Sequence, residues 1–310
     1  MISFSDYLVS RGDPVFEGGG TRWRIVHGAL IPASPFPEFI SISTKEAKNL
    51  LDKSQTPLVR WSSELTEGPT EWWWSVCTSY DRSELSSNSR SKINRGRRHC
   101  TVDRVTAYWL AQHGYDCYAK AFQRYANASP ESLDSFRTGI MTTADHEDLF
   151  HYWALFSGTR VVGYTQCIIE PDKGLCTSVI KYDPEGLKQY GSYVMTDELL
   201  STYVARQGLP VSNGTRSVLH DTNMHEFLLK FGFRRQYCRL NVVYTPLLYG
   251  LVSLAYPFRV PLLRLPRFPL LHNLKALLEQ ESYRRGCLAT ASNERSRPVE
   301  PGQLFPGSID

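Results

Sequence analysis

The chain has 310 residues, of which 42% are hydrophobic and 21% charged, enough for one large or two modest domains with an ample core. Its formal charge of +4 is slight but unevenly spread, with a basic run at 90–99 and further Arg and Lys after residue 258. The seven cysteines are odd in number, scattered and without a C-x-x-C pair, which argues against a disulfide framework and a structural zinc site.

Residues 1–7 carry neither a basic region nor a sustained apolar run, so no signal peptide is expected and a reducing cytoplasm is the expected address. Residues 1–88 read as a smaller α+β lobe, with strand-like runs at 23–31 and 39–42 and a helix at 44–52. Gly18-Gly19-Gly20 lacks a strand-to-helix context and reads as a turn, and Trp72-Trp73-Trp74 reads as packing against the next lobe. Residues 83–91 form a Ser-rich connector. The run Arg90, Lys92, Arg95, Arg97, Arg98 and His99 suits phosphate contacts, or equally a solvated helix start. Helical spacing follows over 103–125, with a break at Gly114, and a second helix is expected over 130–140 with Ser129 as its cap. Asp145, His146, Glu147, Asp148 and His151 lack a second ligand group at a metal-binding spacing and read as a solvated loop, so no metal is expected.

From His151 to Tyr244 the pattern is strand, tight turn at Ser157-Gly158, strand, strand, glycine-containing loop, helix, short strand, helix and a last strand led by Gly232-Phe233. The third strand ends at Asp183-Pro184, and the loop Glu185-Gly186-Leu187-Lys188-Gln189-Tyr190-Gly191-Ser192-Tyr193 runs into a helix reaching about residue 207. Amides at a helix start have no partner within the helix and sit at the positive end of its dipole, so such a junction can hold a phosphate. Lys188 and Gln189 add a cation and a donor, and Gly186 and Gly191 would let backbone approach a ligand.

This order, together with Asn223 and Lys230-Phe231-Gly232-Phe233, resembles the core of the GNAT acyltransferase superfamily. The basic run before a helix resembles its Fem-like (FemAB-type) branch, in which the fold often occurs in two lobes. The resemblance covers about residues 90–245. It implies a mixed, mostly antiparallel α/β sheet flanked by helices, with the N-terminal lobe as a degenerate second copy. It also implies an N-acyltransferase that moves an acyl group from acyl-coenzyme A to an amine on a small molecule or peptide. The alternatives are a Fem-like aminoacyltransferase drawing on charged tRNA through residues 90–99, and a catalytically inactive binding protein of the same fold. On this reading Tyr182, Lys188, Gln189, Tyr190, Gly191, Ser192, Tyr193 and Asn223 line the donor site. Lys188 stands where Gln or Arg is usual and Tyr193 where a small residue is usual, so a bulky ring would narrow the phosphate pocket or close it. Gly191→Trp is then expected to abolish coenzyme A binding and leave the fold intact.

Family members often use a Glu or a bound water as base and a Tyr acid four residues before the Gly-Phe pair. That position here is Leu228, which can do no acid chemistry. His220, Asp221, His225 and Glu226 are the nearby titratable groups, and a His near its ordinary pKa of about 6.5 can act as base. His225 and Glu226 also suit solvated helix positions, and His220 and Asp221 a strand end or cap. Thioester aminolysis needs chiefly orientation and an N–H for the oxyanion, so the missing acid does not exclude activity.

Residues 246–288 form an apolar and basic extension. Pro257, Pro261, Pro266 and Pro269 interrupt it, and its unbroken apolar run falls short of the ~20 residues needed to cross a bilayer. No transmembrane segment is expected. Packing over the catalytic lobe is favoured over peripheral membrane contact through 246–271. A short amphipathic helix is read at 271–280 and a disordered tail at 289–310. The expected units are thus 1–88, 89–245, 246–288 and 289–310.

Overall fold

The computed structural model describes residues 2–124, 128–218, 223–265 and 269–295, without the side chains of 269–272 and 289–295. Helix α1 (Phe4–Ser10) opens the chain with a capping box in which Ser3 and Asp6 satisfy each other's backbone amides. A meander of β1 (Val15–Gly18), β2 (Thr21–Val26) and β3 (Ala29–Pro32) follows, turning at Gly19-Gly20 and His27-Gly28 with positive φ at all four positions. Helix α2 (Thr44–Ser54) crosses to β4 (Leu58–Leu65), which lies parallel to β3. Strand β5 (Trp73–Cys77), helix α3 (Ser87–Gly96) and strand β6 (Thr101–Val105) precede α4 (Ala107–His113), α5 (Tyr115–Ala121) and α6 (Leu133–Met141).

A second meander then runs through β7 (Phe150–Ser157), β8 (Arg160–Glu170) and β9 (Gly174–Tyr182). Helices α7 (Pro184–Lys188) and α8 (Gly191–Leu200) lead through a π-helical turn to β10 (Val211–Thr215), which is parallel to β9. The chain ends with α9 (Met224–Leu229), β11 (Arg234–Tyr244), α10 (Pro246–Ala255), α11 (Arg259–Arg264) and α12 (Pro269–Arg295).

All eleven strands share one sheet in the order β1-β2-β3-β4-β11-β5-β10-β9-β8-β7-β6, antiparallel except at β3–β4 and β9–β10. The same plan occurs twice: three antiparallel strands, a crossover helix, then a strand parallel to the third. Each half lends its last strand to the other. β5 follows β4 in the chain yet lies against β10, whereas β11 follows β10 yet lies against β4, and the two exchanged strands pair with each other. The sheet is therefore the mixed, mostly antiparallel one expected, but residue 88 marks no seam in it.

Apolar side chains cover both faces. Ile93, Leu155, Val194, Tyr203 and Phe231 are buried with α3, α8 and α9, while Leu110, Cys117, Phe136 and Tyr152 are buried with α1 and α4–α6. Several local expectations are corrected. The run 23–31 is a hairpin and not one strand, because Gly28 accepts the left-handed turn. Residues 39–42 are irregular, and the stretch 83–91 holds a short 3-10 turn at Arg82–Glu84 and the start of α3, capped by Ser86. Helix α6 begins after Ser132, whose hydroxyl caps it, and not after Ser129. Helix α12 runs on to Arg295 into the expected tail, and residues 296–310 lie outside the described residues. The extension packs on β11 through α12 and one side of α10, with Val252 and Cys287 buried beside Cys238 and Leu240, while the rest of α10 stays largely exposed.

Candidate active site

Strand β9 pairs with β8 throughout, but β10 meets it only at Val211–Leu175 and Ser212–Cys176. Beyond these pairs the parallel strands part, with Asn213 Nδ2 donating to Thr177 Oγ1 at 2.6 Å near the apex. The β8–β9 register slips there, leaving Ser178 bulged and exposed in mid-sheet. Openings of this kind, where parallel strands diverge beside a helix mouth, are where open α/β sheets admit ligands.

The mouth belongs to α8. Asp183 caps α7 by accepting from the Gly186 amide at 2.6 Å, Pro184 fits the first turn, and the chain reverses through Tyr190 at φ 59°. The amides of Tyr193 and Val194 turn back onto the Tyr190 carbonyl at 3.0 and 3.3 Å. Those of Gly191 and Ser192 remain, and no side chain caps them among the described residues. The Tyr193 ring does not block this mouth. It is buried against Phe227 and Phe231 at centroid separations of 5.1 and 5.6 Å, with Lys92 Nζ 5.2 Å from its own centroid. The half-buried Tyr182 packs into the same core from the end of β9, and burial raises its phenol pKa.

The two glycines serve internal packing. A Cβ on Gly186 would lie 2.4 Å from the Val162 carbonyl oxygen, and one on Gly191 would lie 2.3 Å from Leu155 Cδ2 and 2.6 Å from the Gly186 oxygen. A tryptophan at Gly191 cannot leave the fold intact, so that expected test of binding fails on steric grounds.

Helix α3 docks beside this turn. A Cβ on Gly96 would come within 3.1 Å of the Gln189 and Tyr190 carbonyl oxygens, and the Cys100 thiol donates to Gln189 Oε1 at 3.3 Å. Gln189 also donates to Glu185, so both ends of its amide are occupied. Arg97 is taken up too, bonding the fully buried Asp197 at 2.8 Å and Glu198 at 2.9 Å. Asp197 accepts from the Tyr80 hydroxyl at 2.6 Å, and burial, with that bond, raises the Tyr80 pKa. Arg95, Arg98 and Lys188 stay exposed and pair with no carboxylate among the described residues. Two motifs far apart in the chain thus meet at one corner.

His225 and Glu226 lie on α9, which packs on α8 through Phe227. His225 meets Trp73 edge-on at 6.1 Å, and Glu226 pairs with Arg235. The guanidiniums of Arg216 and Arg235 each sit 4.6 Å from the Trp73 ring centroid. Burial first, then Arg235, holds the His225 imidazole below its ordinary range. Trp73 Nε1, His225 Nδ1 and Arg235 Nε are buried with no hydrogen-bond partner among the described residues. Sequence patterns missed Trp73, Arg216 and Arg235 because only strand exchange puts β5 beside α9. Asn223 is exposed at the start of α9 with no capping bond, and Leu228 is buried core. His220 and Asp221 lie outside the described residues. A separate cavity of about 500 Å³ is lined by charges that already hold partners, Glu17 with Arg22, Glu38 with the Thr21 hydroxyl and Lys173 with Glu170.

No protein-family model matches the chain, and no curated protein sequence does. Among solved structures, the C-terminal domain of a putative lysylphosphatidylglycerol synthetase from Agrobacterium fabrum superposes with a TM-score of 0.55 at 9% identity, covering 82% of this chain and 91% of that one. FemX superposes at 0.50 with 8% identity, covering 75% and 86%. A GCN5-related N-acetyltransferase-like protein from Streptococcus suis reaches 0.37 at 10% identity, covering 73% and 84%, too loose to carry weight. At such identities the likeness concerns fold alone. The chain has the GNAT-like, Fem-like fold.

Proposed function

We propose that the chain is an N-acyltransferase that takes an acyl group from a coenzyme A thioester and passes it to an amine. One observation carries this reading. The repeated plan creates two equivalent helix mouths, and they differ in one respect. At α2, Ser43 and Glu46 form a capping box, so a carboxylate of the chain already occupies the mouth. At α8 no side chain among the described residues forms such a cap, Lys188 lies two residues before Tyr190 in the chain, and Arg95 and Arg98 flank Gly96, which packs on the Gln189 and Tyr190 carbonyls. The diphosphate of the donor would take the Gly191 and Ser192 amides, and its acyl arm would follow the β9–β10 opening. Binding a thioester at a fixed angle to the amine supplies most of the rate such a reaction needs. His225, whose imidazole is held below its ordinary range by burial and by Arg235, has a buried Nδ1 without a partner among the described residues, which would take the proton shed by the attacking amine once the acceptor reaches it. The unmet N–H groups of Trp73 and Arg235 suit a carboxylate or carbonyl on the acceptor.

The test is thermal unfolding with acetyl-coenzyme A. A ligand at a hundred times its dissociation constant stabilises the native state by about 2.7 kcal/mol and raises the melting temperature accordingly. No shift with either acetyl-coenzyme A or free coenzyme A would remove the reading. A second reading, an aminoacyl-tRNA donor, is favoured by the exposed Arg95, Arg98 and His99, which extend the basic surface beyond what one diphosphate needs. A salt-dependent gel shift with charged tRNA, with no shift by coenzyme A, would select it. Unchanged melting with every donor, in a folded protein, would leave the inactive binding protein.

A further inference from the structure

Helix α10 is apolar all round, yet it packs on one side only. Leu248 and Val252 face the core formed with α12 and β11. Leu247, Leu251, Leu254 and Phe258 recur at helical spacing on the other side and are 78%, 56%, 74% and 62% exposed. Tyr249, Val260 and Leu265 extend this surface. The stretch Pro246–Arg264 is long and apolar enough to cross a membrane by length and composition, and only 6% of it is buried. A soluble surface rarely leaves so continuous an apolar patch open.

Charge specifies what covers it. No Asp or Glu occurs between Glu226 and Glu279, whereas Arg259, Arg264, Arg267 and Lys275 fall within that interval. Lys275 folds back onto the Leu263 carbonyl at 3.2 Å, which keeps its ammonium beside α11. Arg259 lies 4.3 Å from the Tyr256 ring centroid, pairing a cation with an aromatic as at a membrane–water boundary. Pro257 and Pro261 with Arg259 between them argue for lying along a surface and against spanning one. We infer that α10 and α11 dock this protein on an anionic lipid bilayer. Leu247, Leu251, Leu254 and Phe258 enter the acyl boundary, and Arg259 and Arg264 meet the headgroups.

The experiment is co-sedimentation of the full chain with phosphatidylcholine vesicles, with and without phosphatidylglycerol. The expected result is binding to the anionic vesicles, weakened by salt. The triple variant Leu247→Glu/Leu254→Glu/Phe258→Glu should lower partitioning by about tenfold or more at an unchanged melting temperature, because exposed positions contribute little to folding. Arg259→Glu/Arg264→Glu should lower it on anionic vesicles alone. Absence of binding to either vesicle, equal binding to both, or a concentration-dependent dimer that the triple variant dissolves without any vesicle binding would each overturn the inference.

Discussion

The two halves of the sheet share a plan and differ at one helix mouth. In the N-terminal half the crossover helix α2 begins with Ser43, whose hydroxyl accepts from the Glu46 amide at 3.2 Å while Glu46 accepts from the Ser43 amide at 2.8 Å. In the C-terminal half α8 begins at Tyr190 in a left-handed conformation and has no side-chain cap. One half has spent its mouth on its own stability, and the other leaves the Gly191 and Ser192 amides without a side-chain cap among the described residues. On the proposed function, the repeated plan separates support from binding, with the uncapped mouth as the donor site.

That contrast can be broken at several points. The largest effect is expected at the anchor of the open corner. Asp197→Ala removes the carboxylate that serves Tyr80 and Arg97, leaves a buried phenol unpaired, and should cost about 3 kcal/mol by chemical denaturation. A loss within experimental error would show that α3 is held to α8 by apolar contact alone. Next, Arg95→Glu/Arg98→Glu should weaken coenzyme A binding by about tenfold, or 1.4 kcal/mol, with a flatter salt dependence. Equal affinity in the variant would detach the basic run from the mouth. In the capped half, Ser43→Ala should cost about 1 kcal/mol and leave donor affinity unchanged. Altered affinity there would mean that the N-terminal half binds ligand too.

A separate effect is one of pH. His151 shares a short hydrogen bond with the Tyr203 hydroxyl on the π-helical turn after α8, and burial, with Arg104 nearby, lowers its pKa to about 4 from an ordinary 6.5. The folded state disfavours the charged ring. Its contribution to stability is therefore full above pH 6.5 and is lost as the pH falls toward 4. Melting temperatures across that window should fall less steeply in His151→Gln, and parallel curves would contradict the assignment.

How much of this was legible beforehand differs between the halves for a physical reason. The β7–β8 hairpin announces itself through Ser157-Gly158, and Gly158 takes φ 60°. The end of β9 is written in Asp183-Pro184, and the same pair signals helix α7, which the loop reading passed over. Strands β4 and β5 lack clean alternation because both faces are covered, as with buried Val59 and Trp61 beside Leu58. The strand exchange is a pairing between residues more than a hundred positions apart, and no local pattern records it. For the same reason the Arg216–Trp73–Arg235 arrangement was unreadable, whereas His225 and Glu226 could be singled out as titratable groups from their residue types alone. At the α8 mouth the loop 188–193 was legible as a junction. The inward turn of Tyr193 and the packing role of Gly191 depend on Phe227 and Leu155, which sequence spacing does not bring together.

The central claim is that the α8 mouth is open to an anion. Ser192→Glu tests it most directly, because a carboxylate in the first turn favours the helix dipole by about 0.3–1 kcal/mol and also fills the site. Calorimetric titration of acetyl-coenzyme A into the two proteins is predicted to show binding to the native chain and none to the variant, whose melting temperature is equal or slightly higher. Equal affinity in both proteins would contradict the account.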